Sequence, residues 1–151
     1  MVESVTQRPL IALLQDVQRA MQDELHARLR DRGWPEIRPS HGCVFGGMGP
    51  EGARLTDLAE RARITKQSVG EIVTNLEELG YVERVPDPDD KRAKLVRLTP
   101  RGQKMQKAAR ETFAEIEAEW GDQIGKQKVA ALRSTLEDLS LLPPLVLKRA
   151  A

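Results

Sequence analysis

Thr65-Lys66-Gln67-Ser68-Val69-Gly70-Glu71-Ile72-Val73-Thr74-Asn75-Leu76-Glu77-Glu78-Leu79-Gly80 runs directly into Tyr81-Val82-Glu83-Arg84-Val85. Pro86-Asp87-Pro88-Asp89-Asp90-Lys91-Arg92-Ala93 and Lys94-Leu95-Val96-Arg97-Leu98 follow. Thr65 has the side chain of a helix N-cap. Behind it Val69, Ile72, Val73, Leu76 and Leu79 gather on one side of a helical wheel, with Gln67, Glu71, Thr74 and Glu78 opposite. Gly80 supplies a left-handed stop. Tyr81–Val85 and Lys94–Leu98 then read as two short strands around a loop that proline and aspartate mark as turn-rich.

Upstream, Leu55, Leu58, Ala59 and Ala62 make a small helix that turns at Arg63-Ile64 into the capped one. Pro39-Ser40-His41 can open another, but Gly42, Gly46, Gly47 and Gly49 follow. Each glycine costs up to ~1 kcal/mol against alanine inside a helix, so a short or distorted helix is expected there, ended by Gly49-Pro50. Further back, Leu10, Leu14, Val17, Met21, Leu25 and Leu29 stripe one long helix, with Pro9 in its first turn and Gly33 with Pro35 closing it. Downstream, Thr99-Pro100 is a start signal. Met105, Ala109, Thr112, Phe113, Ile116 and Trp120 stripe a helix expected to stop near Gly121. Val129, Leu132, Leu136 and Leu139 mark a last helix, ended by Pro143-Pro144.

The 151 residues suit one domain, with 40% hydrophobic and 31% charged residues, an ordinary balance for a folded chain. Basic and acidic side chains number 24 and 23, so any binding to nucleic acid must come from a local patch and not from net charge. The lone Cys43 excludes an intramolecular disulfide, and the longest apolar stretch, Leu139 to Leu147, is interrupted by prolines and too short to span a membrane. Glu3 and Gln7 at the N-terminus do not form a secretion signal, which points to the cytoplasm.

Two short helices joined by a tight turn, the second polar on its outer face, describe a helix-turn-helix. Such a helix fits the major groove of double-stranded DNA, where each base pair shows a distinct donor and acceptor pattern. Gln67 can pair with adenine, Ser68 and Thr74 can reach bases or phosphates, and Glu71 can accept from a cytosine amine. Lys66 and the free N–H groups after Thr65 suit phosphate, and Asn75 flanks this face. Any amphipathic helix also has a polar outer face. The charged hairpin beside it shifts the balance, because Arg92 sits at an exposed tip between Lys91 and Lys94. Asp90, two residues before it, can hold the guanidinium ready for a narrow minor groove.

Leu58-Ala59-Glu60, Thr65-Lys66-Gln67-Ser68-Val69, Leu76-Glu77-Glu78-Leu79-Gly80-Tyr81-Val82-Glu83-Arg84, Pro86-Asp87-Pro88-Asp89-Asp90-Lys91-Arg92-Ala93-Lys94 and Val96-Arg97-Leu98-Thr99-Pro100-Arg101-Gly102 resemble the MarR (multiple antibiotic resistance regulator) family of bacterial transcription factors. The match is strongest over 54–104, and the Asp-x-Arg of Asp90 and Arg92 is its most diagnostic element. The resemblance implies a mostly α fold with a small β-hairpin wing, a winged helix-turn-helix carrying N- and C-terminal dimerisation helices. On that reading 1–151 is a single winged-helix domain. Its DNA-binding core spans 36–99, with the helix-turn-helix at 54–80, the wing at 81–98, and dimerisation segments at 9–32 and 100–146. It further implies a homodimeric repressor on a pseudo-palindromic operator, with Arg92 in the minor groove and Asp90 orienting it. Arg84, Lys94 and Arg97 are candidates for contacts to the DNA backbone.

The same family often binds small aromatic or phenolic ligands between the dimer helices and the winged domain, which would relieve repression. Trp34, His41, Phe45 and Phe113 are the candidates for lining such a pocket, although ordinary packing accounts for each of them. The glycine-rich second helix departs from the family pattern in that region. Cys43 reads as a buried, inert thiol rather than a redox sensor. His26, His41 and Cys43 do not make a metal site, and no cofactor is implied. No phosphate loop, activated nucleophile or carboxylate pair points to an enzyme. The alternative function is a protein-interaction module without specific DNA binding, since Glu71, Glu77 and Glu78 are ill suited to face a duplex.

Overall fold

The computed structural model describes residues 7–142. The Pro143-Pro144 stop, the last residues of the 100–146 segment and Glu3 lie outside the described residues. The described chain forms two compact units that divide after Phe113. Among the described residues no helix is long and apolar enough to cross a membrane.

In the first unit α1 spans Leu10–Asp31, a 3-10 turn at Pro39–His41 leads into α2 (Gly42–Phe45), and α3 spans Leu55–Ala62. Then come α4 (Lys66–Glu78), β1 (Val82–Pro86), β2 (Lys94–Leu98) and the start of α5 (Pro100–Ile124). Local chemistry accounts for most of these boundaries. The Thr65 hydroxyl accepts the Ser68 N–H at 3.1 Å and opens α4, and Gly80 closes it with φ +79°. Thr99 receives the Gly102 N–H at 3.1 Å and opens α5. The glycines after His41 limit α2 to four residues, the short helix expected.

The core of this unit forms where α3 packs on α4, α4 on β1, and α2 on both α3 and α4. Leu29, Val44, Leu58, Val69, Val73, Leu76, Tyr81, Val82, Val96 and Met105 are fully or almost fully buried. The strands pair antiparallel, Val82 opposite Leu98 and Pro86 opposite Lys94. Strand β1 thus begins one residue later than the pattern suggests. Tyr81 is buried instead against Trp34 and Phe45, with ring centroids 6.0 and 6.1 Å away, and its hydroxyl donates to Glu36. Ala53 forms an isolated bridge with Val96, which ties the strand-like entry to α3 onto the wing.

The second unit holds the rest of α5 and α6 (Lys126–Ser140). Helix α5 does not stop at Gly121. It continues to Ile124, and the break comes at Gly125 with φ +110°. Gly121 is buried instead against Lys126, where the lack of a side chain lets the start of α6 approach. No residue of α6 is buried: Leu132, Leu136 and Leu139 are 44%, 41% and 48% exposed. In the first unit the N-terminal half of α1 likewise leaves Leu10, Ile11, Leu13 and Val17 exposed, whereas Leu25 and Leu29 are buried.

Candidate nucleic-acid interface

Helix α3 ends on Arg63, which adopts the left-handed conformation at φ 54° so that the Ile64 N–H can return to the Ala59 carbonyl at 3.2 Å. A non-glycine residue held there costs of order 1 kcal/mol, so the tight turn is imposed by the packing of the two helices around it. The outcome is a polar helix face that is exposed from Lys66 to Ser68 and again at Glu71 and Thr74.

These side chains are not equally available. The hydroxyls of Thr65 and Ser68 lie 2.8 Å apart and share the cap. Thr74 donates to the Gly70 carbonyl at 2.9 Å and accepts from Arg84 at 3.2 Å. Asn75 turns inward, with its Oδ1 3.0 Å from Nε2 of the buried His41. Lys66, Gln67 and Glu71 form no side-chain hydrogen bond among the described residues, which leaves Gln67 as the free two-headed amide on this face.

Arg84 was expected on the DNA backbone. The structure places its guanidinium 2.7 Å from Glu77 Oε1, and its N–H donates to the same carboxylate at 3.3 Å. This pair braces β1 against α4 and neutralises one of the acidic residues that had counted against a duplex. Arg97 similarly faces Glu83 across the two strands at 2.7 Å.

The wing loop is closed by its own backbone. The Asp87 N–H donates to the Ala93 carbonyl at 3.1 Å, and the Ala93 N–H to the Asp90 carbonyl at 3.0 Å. Asp90 accepts the Arg92 N–H on its carboxylate at 3.0 Å. It therefore orders the turn beneath Arg92 rather than gripping the guanidinium, the role read from its position in the sequence. Lys91, Arg92 and Lys94 remain exposed, and none has an acidic partner among the described residues.

Asp87 is the anchor that sequence reading missed. It is buried, takes the Asp89 N–H at 2.9 Å, and binds Arg54 just before α3 at 2.5–2.7 Å. The Asp89 N–H, together with Arg54, holds its carboxyl below the ordinary 3.8 despite burial. A carboxylate with a lowered pKa in the fold lends stability that is complete above its ordinary value and is lost as pH falls through the lowered one. Asp87→Ala is accordingly expected to raise amide exchange in residues 86–94 at neutral pH. Acidifying the native protein should approach the same pattern only below about pH 4. Unchanged exchange in the variant would remove Asp87 as the anchor.

The first unit also holds a cleft of about 420 Å³, lined in part by Leu25, Leu29, Phe45, Met105 and Phe113. Phe45 and Phe113, two of the four residues proposed from the sequence, lie on its wall. Trp34 and His41 do not line the cleft, because one packs on Tyr81 and the other faces Asn75. Cys43 edges the cleft, where burial raises its thiol pKa and its Sγ donates to the Ser40 carbonyl. Among the described residues no group of His, Cys, Asp and Glu could hold a metal ion.

A model of the MarR family matches residues 44–93, the stretch from α2 through the wing loop. The matched stretch is similar to the MarR family, and the fold is a winged helix-turn-helix. An uncharacterized HTH-type transcriptional regulator of Mycobacterium bovis is 32% identical over 80 residues, which are 53% of this chain and 56% of that protein. The chain thus spans little more than half the length of that curated relative. Reduced MarR from E. coli superimposes with a TM-score of 0.75 at 22% identity, over 91% of this chain and 98% of that one. A mutant of S. aureus MepR bound to an oligodeoxyribonucleotide gives 0.60 at 21% identity, over 88% and 96%. Both likenesses establish the fold, mostly α with a β-hairpin wing.

Proposed function

We propose that this chain is a sequence-specific DNA-binding transcriptional regulator, a repressor acting as a homodimer on a pseudo-palindromic operator in the cytoplasm. The observation that carries the reading is the pairing of an exposed polar helix face with an exposed, unpaired cationic hairpin tip on one braced scaffold. Thr65, Lys66, Gln67, Ser68, Glu71 and Thr74 would enter the major groove, with Asn75 at the edge of that face. Lys91, Arg92 and Lys94 would follow the adjacent minor groove, with Asp90 shaping the tip, and Arg84 and Arg97 would lie nearest the phosphates. The exposed leucines of α1 and α6 are the surfaces a second copy would cover. In this arrangement the protein binds and releases DNA and catalyses nothing.

The cleft suits a small aromatic or phenolic ligand, with Phe45 and Phe113 on its wall. Such a ligand would relieve repression by favouring a spacing of the two recognition helices other than one DNA turn. Titrating phenolic compounds into a protein–DNA complex without any change in affinity would remove this part of the reading.

The test of the main reading is fluorescence anisotropy against the intergenic DNA beside the protein's own gene, at two salt concentrations, with scrambled duplex as control. Preference for the native duplex supports a specific regulator, and equal affinity for both removes that reading. The side chains should then separate by role. Gln67→Ala should relax discrimination at one base position by about 1–3 kcal/mol. Lys94→Ala should weaken all duplexes alike and reduce the salt slope by about 1. Equal losses on every sequence from the Gln67 variant would sink its assignment as a base reader.

A further inference from the structure

His41 is 2% exposed, and both of its ring nitrogens are engaged. The Arg38 N–H donates to Nδ1 at 3.0 Å, which closes the 3-10 turn that leads into α2. A neutral imidazole whose Nδ1 accepts carries its proton on Nε2. That Nε2 lies 3.0 Å from Asn75 Oδ1, so the ring donates to the recognition helix. Burial, ahead of the opposing bond to Asn75, holds the ring below its ordinary pKa of 6.5 and so favours the neutral ring, whose tautomer the two bonds assign. Arg38, Pro39, Gly42 and Phe45, the neighbours of His41 in sequence, line the cleft. One side chain therefore joins the cleft wall to the helix that presents Gln67.

We propose that His41 is a positioning residue for DNA recognition. Its bond to Asn75 sets the rotation of α4 against residues 38–46, and Asn75 serves recognition through that bond rather than by reading a base. The inner face of α4 is held by Val69, Val73 and Leu76, and apolar packing is not directional. A hydrogen bond weakens steeply with distance and angle, so it can select one rotation. A turn of about 10° around the axis moves a side-chain tip on the ~5–6 Å rim of a helix by about 1 Å. That is enough to take the Gln67 amide out of reach of a base edge.

The inference rests on the DNA-binding reading for its purpose but not for its geometry, and two substitutions separate its parts. In His41→Asn the side-chain oxygen takes the place of Nδ1, keeps the Arg38 N–H and severs the link to Asn75. In His41→Gln the amide nitrogen reaches the position of Nε2, keeps the link and gives up the Arg38 bond. Affinity is read on a duplex that the wild-type chain selects from a random pool. Amide exchange across residues 66–79 is read without DNA.

His41→Asn and Asn75→Ala should each lose about tenfold in affinity. The double variant should lose no more than either, the mark of one shared interaction. His41→Gln should stay within about threefold of wild type. Exchange in α4 should quicken in the first two variants and not in His41→Gln. A merely structural role, capping the turn, predicts the reverse order of the two His41 variants and would overturn the proposal. So would a loss confined to Asn75→Ala, which would make Asn75 a direct reader. If the wild-type chain selects no duplex, the DNA reading falls while exchange still judges the link, and unchanged exchange in His41→Asn refutes it. Should the His41 variants not fold, exchange in Asn75→Ala, at a half-buried position, decides alone.

Discussion

Arg92→Ala is expected to lower affinity for the native operator by roughly 2 kcal/mol, about thirtyfold, while leaving the melting temperature unchanged. The guanidinium is exposed and has no partner among the described residues, so its removal takes nothing from the fold. On DNA it would exchange water for charge-assisted bonds at the floor of a narrow groove, where the negative potential is enhanced. The same geometry separates two roles for Asp90. A carboxylate that orients the guanidinium through charge would make Asp90→Asn nearly as harmful as Arg92→Ala. A side-chain oxygen that accepts the Arg92 N–H, as it does at 3.0 Å, survives in asparagine. The structure therefore predicts that Asp90→Asn binds as tightly as wild type or tighter, since a negative charge near phosphate is also removed. Competition anisotropy at fixed salt reads both variants. An Arg92→Ala protein that binds the operator like wild type would take the wing out of the interface and return weight to the protein-interaction module.

Gly102→Ala is expected to cost roughly 3 kcal/mol, about 10 °C in Tm. A β-carbon on Gly102 would lie 2.0 Å from the Tyr81 carbonyl oxygen and 3.0 Å from its carbon. These obstacles are backbone, which cannot swing aside as a side chain could. The Tyr81 carbonyl also receives the Thr99 N–H at 3.0 Å, and the Thr99 hydroxyl donates to Gly80 at 2.6 Å. The end of α4, the root of the wing and the start of α5 meet here through main-chain groups, so relief at one point breaks bonds at the others. Gly70 is the contrast. Nothing lies within 4 Å of a β-carbon there, so Gly70→Ala should raise stability by up to ~1 kcal/mol through helix propensity. Thermal melts of both variants decide the matter. A Gly102→Ala chain that melts with wild type would mean that α5 can shift without cost.

Much of the fold is legible in the chain because the signals are local. Thr65 and Gly80 bracket α4 within sixteen residues, Thr99-Pro100 opens α5, and the valine and leucine spacing names the buried face. Gly121 misled, since glycine marks either a helix end or a close approach, and only its neighbour Lys126 shows which.

The candidate interface is legible in part. That Gln67 and Arg92 would be exposed follows from helix and hairpin periodicity. That Asn75 turns inward, that Arg84 is held by Glu77 and that Asp90 serves a backbone N–H do not follow from periodicity.

The sequence by itself determined the order of the elements, most of the helix ends and the identity of the polar face. Caps, glycine stops and apolar spacing act within a turn or two of the chain. The tertiary structure alone decided which polar side chains are free to reach a partner. His41 with Asn75, and Arg54 with Asp87, are 34 and 33 residues apart, and no local rule pairs them. A buried polar group must find a partner wherever packing brings one, so such bonds are settled only when the core has closed around them.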